Sequence, residues 1–535
     1  MTLRPMYRGH RSPRPGPRPR LLFVVPSGAE TGDVPVVRAR KSGHVAAPLG
    51  PLLIAAWLGQ HGVDCEVLDQ QALELSDEEV VLSVVQRAPD LVGFSCFITT
   101  IRKGAKLARA IKDRIDLPIL LGGPHVSAVP VETFERYGDV FDVGLVGEGE
   151  LGTLRIIECI GDEVALRAIP GVVMKRNGVV HWNGEHAERM ENLDDLPFPA
   201  YHLLGDLSPY QLSEFTYGIR EKQVMIITSR GCPYGGENGC TFCDQNVSGV
   251  FWRGMSARRV VEAMLDVKQR GVVNIYDTDD IALVDLEREE EKARRILEVP
   301  YLRDVTWEII TRINLVARAA RKRVSYRGQS LGLLELLHRA GLRQVSVAPE
   351  TGNEKLRLGA LQERGVTDRV VDEAVTALAG AGVSVKLLCM VGVPGETPVH
   401  TLETMEKIRR WGELGAEQAM ISVCTPLPET PLARWIQAGR VHWTGDLSDW
   451  DAMTLYDPAG VFTTDVEGRP CDYTPAEILV AARGKHRIGR AVRQEDRRRK
   501  ETIDDKIAIV RQQVEEHRRR PKSLPVSTER GGASV

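Results

Sequence analysis

Two stretches of the chain, residues 21–160 and 224–424, repeat one rhythm: a short β-branched run, then a helical pattern. In the first, the predicted strands are LLFVV (21–25), DCEVL (64–68), LVGFS (91–95), ILLGG (119–123) and DVGLV (142–146). PLLIAAWLGQHG and IRKGAKLARAIKDR are among the helical patterns between them. Such alternation dictates a parallel sheet covered by helices on both faces, and continuous apolar strands suit burial on both sides. The expected class is α/β with a doubly wound sheet, whose ligands bind beyond the carboxyl ends of the strands.

The second series places strands at VMIIT (224–228), VVNIY (272–276), VTWEII (305–310), QVSVA (344–348), VSVKLLCMV (383–391) and AMISVC (419–424). A helix is expected to start at Ser256 and stop at Gly271, and another to start at Thr367. Six βα units predict a partial barrel rather than a closed eight-fold one, with its chemistry again at the carboxyl ends. Residues 161–220 read as a connector, containing a hairpin that turns at Asn177-Gly178. Residues 436–520 form a small α-rich region. Trp435, Trp443 and Trp450 read as core more than as contacts, and an Arg-rich helical segment lies at 483–520. Residues 1–20 and 521–535 read as disordered tails.

The chain of 535 residues carries 70 basic against 73 acidic side chains, a balance that argues against nucleic-acid binding through a basic face. No apolar run is long enough to span a membrane, and nine cysteines without a secretory signal suit a reducing cytoplasm.

That setting gives weight to cysteines that cluster. Cys232, Cys240 and Cys243 share one Gly-rich loop, SRGCPYGGENGCTFCDQ, after the first strand of the second series. A structural zinc site wants four ligands and this loop supplies three; a zinc loop completed from elsewhere is the competing reading. Three thiolates on a four-iron cluster leave one iron open.

The loop ending Cys-Thr-Phe-Cys, on the first strand of a six-unit βα series, resembles the radical S-adenosylmethionine (SAM) superfamily. The resemblance implies a 4Fe-4S cluster on Cys232, Cys240 and Cys243, and SAM chelating the open iron. The usual spacing is Cys-x3-Cys-x2-Cys, whereas seven residues separate Cys232 from Cys240. The longer spacing resembles a subset of cobalamin-dependent methyltransferases of that superfamily. For SAM, the resemblance implies Phe242 beside adenine, Asp277 (with Asp279 and Asp280 loosely matched) near the amino group and Glu350 of VSVAPETGNEKL on the ribose. It also implies Val391, Gly392, Pro394 and Gly395 of CMVGVPGET along the adenine and methionine portions.

GEGELG (147–152) matches a dinucleotide-binding pattern in form, but it follows the last strand of its series, and Glu148 and Glu150 would face a pyrophosphate. The order of motifs in residues 21–160 instead resembles a cobalamin-binding domain. There Ser95 and Thr99 would border the corrin, Gly122 and Gly123 would admit the nucleotide tail, and Gly147 and Glu148 would sit beside it. No Asp-x-His-x-x-Gly occurs, so no protein imidazole is expected on cobalt; His125 reads as a loop histidine with at most a tail contact.

Together these resemblances imply a cobalamin-dependent radical SAM methyltransferase acting on an unactivated carbon of a small molecule or peptide. A flavodoxin or ferredoxin would supply electrons. A cobalamin-binding oxidative cyclase or ring-rearranging enzyme, a tRNA methylthiotransferase and a cobalamin and iron-sulfur sensor are the alternatives. The scattered Cys65, Cys96 and Cys159 argue against the methylthiotransferase.

Overall fold

The computed structural model describes residues 18–28, 44–212, 223–235, 239–244, 251–454, 458–488 and 502–519. Residues 1–17 and 520–535, which make up most of the two expected tails, lie outside that set.

The first sheet has seven strands: β1 (Arg20–Val25), β2 (Asp64–Asp69), β3 (Leu91–Ser95), β4 (Ile119–Gly122), β5 (Val143–Leu145), β6 (Val172–Arg176) and β7 (Val179–Trp182). Their spatial order is β2-β1-β3-β4-β5-β6-β7, and the first five are parallel. The strand order reverses between β1 and β3, the point at which doubly wound sheets bind ligands. Apolar clusters lie on both faces, one with Leu22, Val24, Val92 and Phe94, the other with Leu21, Phe23 and Leu120.

The stretch read as a connector contributes β6 and β7 to this sheet. Asn177 and Gly178 take φ of 52° and 81°, the two positive values a tight hairpin turn requires. The resulting ribbon pairs antiparallel along β5, covering what would otherwise be an open sheet edge.

The second sheet comprises β8 (Gln223–Ile226), β9 (Asn274–Asp277), β10 (Thr306–Thr311), β11 (Leu342–Glu350), β12 (Ser384–Val391), β13 (Ala416–Val423) and β14 (Gly484–Arg487). They lie side by side in chain order; β8 to β13 are parallel and form the expected partial barrel. β14 was not foreseen. It lies in the segment read as helical and pairs antiparallel with the outer edge of β13.

The helices behind the barrel begin where the sequence places them. Ser256 caps Ala257–Gln269 by accepting from Arg259 N, and Thr367 caps Asp368–Gly380 by accepting from Val370 N. The C-terminal helix Ile503–Arg519 buries Ile507, Val510 and Val514 in the barrel-domain core. Among the described residues no helix is long and apolar enough to cross a membrane.

Candidate active site between the two sheets

The carboxyl ends of both sheets border a cavity of about 610 Å³. The first sheet contributes Ser95, Gly122, Gly123, Gly147 and Glu148 to its wall, and the second contributes Met225, Arg230 and Thr278. A Cβ added at Gly122 would meet nothing nearer than Phe94 O at 3.8 Å, so the cavity's wall is bare backbone there. Gly123 has φ of +98°, and a Cβ would come within 2.8 Å of the Cys96 backbone. This glycine cradle fits a bulky ligand that approaches main chain. Thr99 is not part of the wall; its neighbour Thr100 is.

Glu148 borders the cavity, but its carboxylate is already engaged. Arg230 Nη1 donates to Glu148 Oε2 at 2.8 Å, and Arg253 pairs with Oε1. Arg230 Nη2 donates to Glu150 Oε1 at 2.6 Å. Glu148 thus keeps the place at the cavity that the sequence suggests, and two arginines from across the domain boundary satisfy its charge.

His125 is not a loop residue. It lies in the short helix Pro124–Ala128, 2% exposed, with its ring edge-on to Trp450 at 4.4 Å. Arg136 stacks on the same indole at 3.9 Å. Burial first, then the Arg136 charge, drives the His125 pKa down to about 3, so the ring is neutral. It is absent from the cavity wall. Trp443 and Trp450 are buried, in keeping with their reading as core.

At the carboxyl edge of the barrel, the cysteine loop is braced from below. Asp279 accepts from Thr228 N, Ser229 N and both hydroxyls, at 2.5 to 2.7 Å. Asp280 accepts from Gly231 N at 2.8 Å. Asp277 lies beneath them, accepting from Thr228 Oγ1 at 3.2 Å, and burial and the Asp279 charge raise its pKa. The acidic run after β9, expected near a SAM amino group, thus clamps the turn that leads into Cys232.

Cys240 Sγ stands 2.7 Å from Glu363 Oε1 and 3.4 Å from Arg312 Nη1, and Arg312 pairs with Glu363. Arg312 also stacks on Tyr234 at 4.1 Å. Burial, then the Glu363 carboxylate, raises the Cys240 pKa; burial raises that of Cys232. Among the described residues no three His, Cys, Asp or Glu side chains are grouped so as to hold a metal ion, and Cys240 contacts Glu363. The donor set fits an iron-sulfur cluster by its chemistry: three thiols on one loop, with a buried cation to offset thiolate charge. Arg312 and Glu363 escaped the sequence reading, although Arg312 follows the carboxyl end of β10 as the other candidate residues follow their strands.

The remaining SAM candidates gather at neighbouring strand ends. Phe242 packs against the apolar cluster that contains Met390, Val393 and Cys424. Glu350 pairs in register with Cys389 and takes φ of 60°, an uncommon value for a non-glycine residue. Arg357, fully buried, fixes this turn by donating to Pro349 O at 2.8 Å and Asp368 Oδ1 at 3.0 Å. After Val391, Gly392 and Gly395 have φ of +77° and +80° on either side of Pro394. Glu396 accepts from Gly392 N at 2.9 Å and Val393 N at 3.2 Å, fastening that loop from within.

The B12 binding domain model matches residues 35–156, and the Radical SAM superfamily model matches residues 226–408. The chain belongs to the cobalamin-dependent radical SAM enzymes. The cofactors of such an enzyme are cobalamin, a 4Fe-4S cluster and SAM. The chain is 25% identical over 424 residues to an uncharacterized methyltransferase of Pyrococcus horikoshii, covering 78% of this enzyme and 84% of that one. It is 25% identical over 397 residues to the hopanoid C-3 methylase of Methylococcus capsulatus, covering 72% and 67%. The structure of the radical S-adenosylmethionine methyltransferase TsrM from Kitasatospora setae, with cobalamin and 4Fe-4S cluster bound, matches with a TM-score of 0.60. At 18% identity, over 80% of this chain and 81% of that one, that match shows a shared fold.

Proposed function

We propose that this enzyme transfers a methyl group from SAM to an unactivated carbon of a small-molecule or peptide substrate, with cobalamin as methyl carrier. The observation that carries the proposal is the shared cavity, walled by the glycine cradle of one sheet and by Met225, Arg230 and Thr278 of the other. Carbon radical chemistry and methyl supply must meet within one shielded space, since orientation and exclusion of water decide the outcome of a reactive intermediate.

When bound, the cluster and SAM would supply hydrogen abstraction, and cobalamin in the cavity would supply the methyl group. Cys232, Cys240 and Cys243 hold the cluster. Glu350 accepts from the SAM ribose, and Gly392 and Gly395 let backbone approach the adenine and methionine portions. Phe242 covers the adenine. Ser95, Gly122, Gly123 and Gly147 would receive cobalamin, and His125, packed on Trp450, stands outside that wall. A flavodoxin or ferredoxin delivers the electron. The methylase and methyltransferase relatives, which cover most of the chain, support the same reading.

The test is isotopic. SAM carrying a deuterated methyl group should label the product, which gains one CH2, with S-adenosylhomocysteine and 5′-deoxyadenosine formed in equal amounts. A substrate that is oxidised or cyclised without added mass, and no matching S-adenosylhomocysteine, would establish the cyclase instead.

A further inference from the structure

Cys232, Cys240 and Cys243 all lie, in sequence, between Arg230 and Arg253. These two arginines face each other across a two-residue antiparallel ribbon, Ser229–Arg230 against Arg253–Gly254. Both guanidinium groups leave their own domain for Glu148, and Arg230 forks onto Glu150 as well. The four side chains are 4% to 18% exposed, so the cluster of charges is largely withdrawn from water. Glu148 and Glu150 flank Gly149, where the helix Gly149–Glu158 starts, and Gly147, Glu148 and Gly149 all border the cavity. The base of the cysteine loop is therefore fastened to the same backbone turn that walls the cavity.

We propose that this clasp couples the two cofactor sites: an ordered cysteine loop favours cobalamin binding, and bound cobalamin favours retention of the cluster. Arg230, Arg253, Glu148 and Glu150 act as positioning residues for this purpose. The physical source is ordering. Ligation of iron by three cysteines orders the loop that the Arg230–Arg253 bridge closes, so less freedom remains to be lost when the clasp forms. A closed clasp in turn holds residues 147–150 in the form that borders the cavity. Linkage requires the coupling to be equal in both directions. The inference concerns cofactor loading and stands whichever carbon receives the methyl group.

Hydroxocobalamin affinity, read by absorbance on the full chain with and without its reconstituted cluster, gives the coupling as a ratio. The expected ratio is about 5 to 150, the ordinary range for linked sites. In Glu150→Gln/Arg253→Gln the ratio should fall towards one. Because each ratio compares one variant with itself, any direct contact of these residues with cobalamin cancels. Arg230→Lys keeps the charge but not the fork, and should retain an intermediate ratio. A wild-type measurement needs no variant: hydroxocobalamin should slow iron loss to a chelator by a similar factor. A wild-type ratio of one, or a ratio unchanged in the double variant, overturns the proposal.

Discussion

Arg312 lies between two acidic or potentially acidic groups that belong to one another: the Cys240 thiol, 3.4 Å from its Nη1, and the Glu363 carboxylate with which it pairs. If Cys240 binds the cluster as proposed, a cation this close stabilises the more negative, reduced cluster. Arg312→Met should therefore lower the cluster's midpoint potential, by on the order of 50 mV for one partly screened unit charge. A redox titration followed by electron paramagnetic resonance checks it; an unchanged potential would show that Glu363 cancels the field.

Asp279 gathers four donors from Thr228 and Ser229. Asp279→Ala leaves two buried backbone N–H groups without their acceptor and should cost about 3 kcal/mol or more of stability. Urea unfolding gives the loss, and iron content after reconstitution should fall because the turn into Cys232 loosens. Asp279→Asn, which keeps one acceptor oxygen, should fall between the two.

Gly122 and Gly123 should respond differently to alanine. Gly122→Ala has room and should leave the melting temperature unchanged while weakening hydroxocobalamin binding, its methyl group intruding where the ligand meets backbone. Gly123→Ala combines positive φ with a 2.8 Å approach to Cys96, and should lower stability as well. Thermal unfolding beside a binding titration separates the two; unaltered binding in Gly122→Ala would remove that residue from the cobalamin site.

Glu396 carries a pKa lifted by burial to about 7, against 4.5 for the ordinary side chain. The folded protein thus holds a proton that the unfolded chain has already released. Stability from this group is full below pH 4.5, falls as pH rises to about 7, and is then lower by about 3 kcal/mol. Glu396→Gln should flatten that part of the stability–pH profile in denaturant titrations. A wild-type profile rising over this interval with no change in the variant would contradict the assignment.

His125 fills space against Trp450, yet among the described residues neither ring nitrogen has a hydrogen-bond partner. His125→Ala should cost about 2–3 kcal/mol through lost packing, whereas His125→Phe should cost little or nothing. Both should leave the cobalt absorption spectrum unchanged; a shift in either would place His125 on the metal.

Much of this protein is written in local sequence. Alternating apolar strands and helical patterns fix two parallel sheets, Asn177-Gly178 fixes a hairpin turn, and Ser256 and Thr367 fix helix starts. The spacing of cysteines and glycines at strand ends supplies the candidate cofactor residues. Each depends on residues within a few positions of one another, so periodicity and turn chemistry suffice. Tertiary structure alone decided which side chains satisfy which. Arg230 meets Glu148 across 82 positions, and Cys240 meets Glu363 across 123. Asp279 fastens the 228–229 turn, and Trp450 returns to cover His125. A strand pattern states that a residue lies at a sheet's carboxyl edge but not what stands opposite, because that depends on strand order and domain packing. Buried charges, which must find partners wherever the fold brings them, are the residues for which this difference matters most.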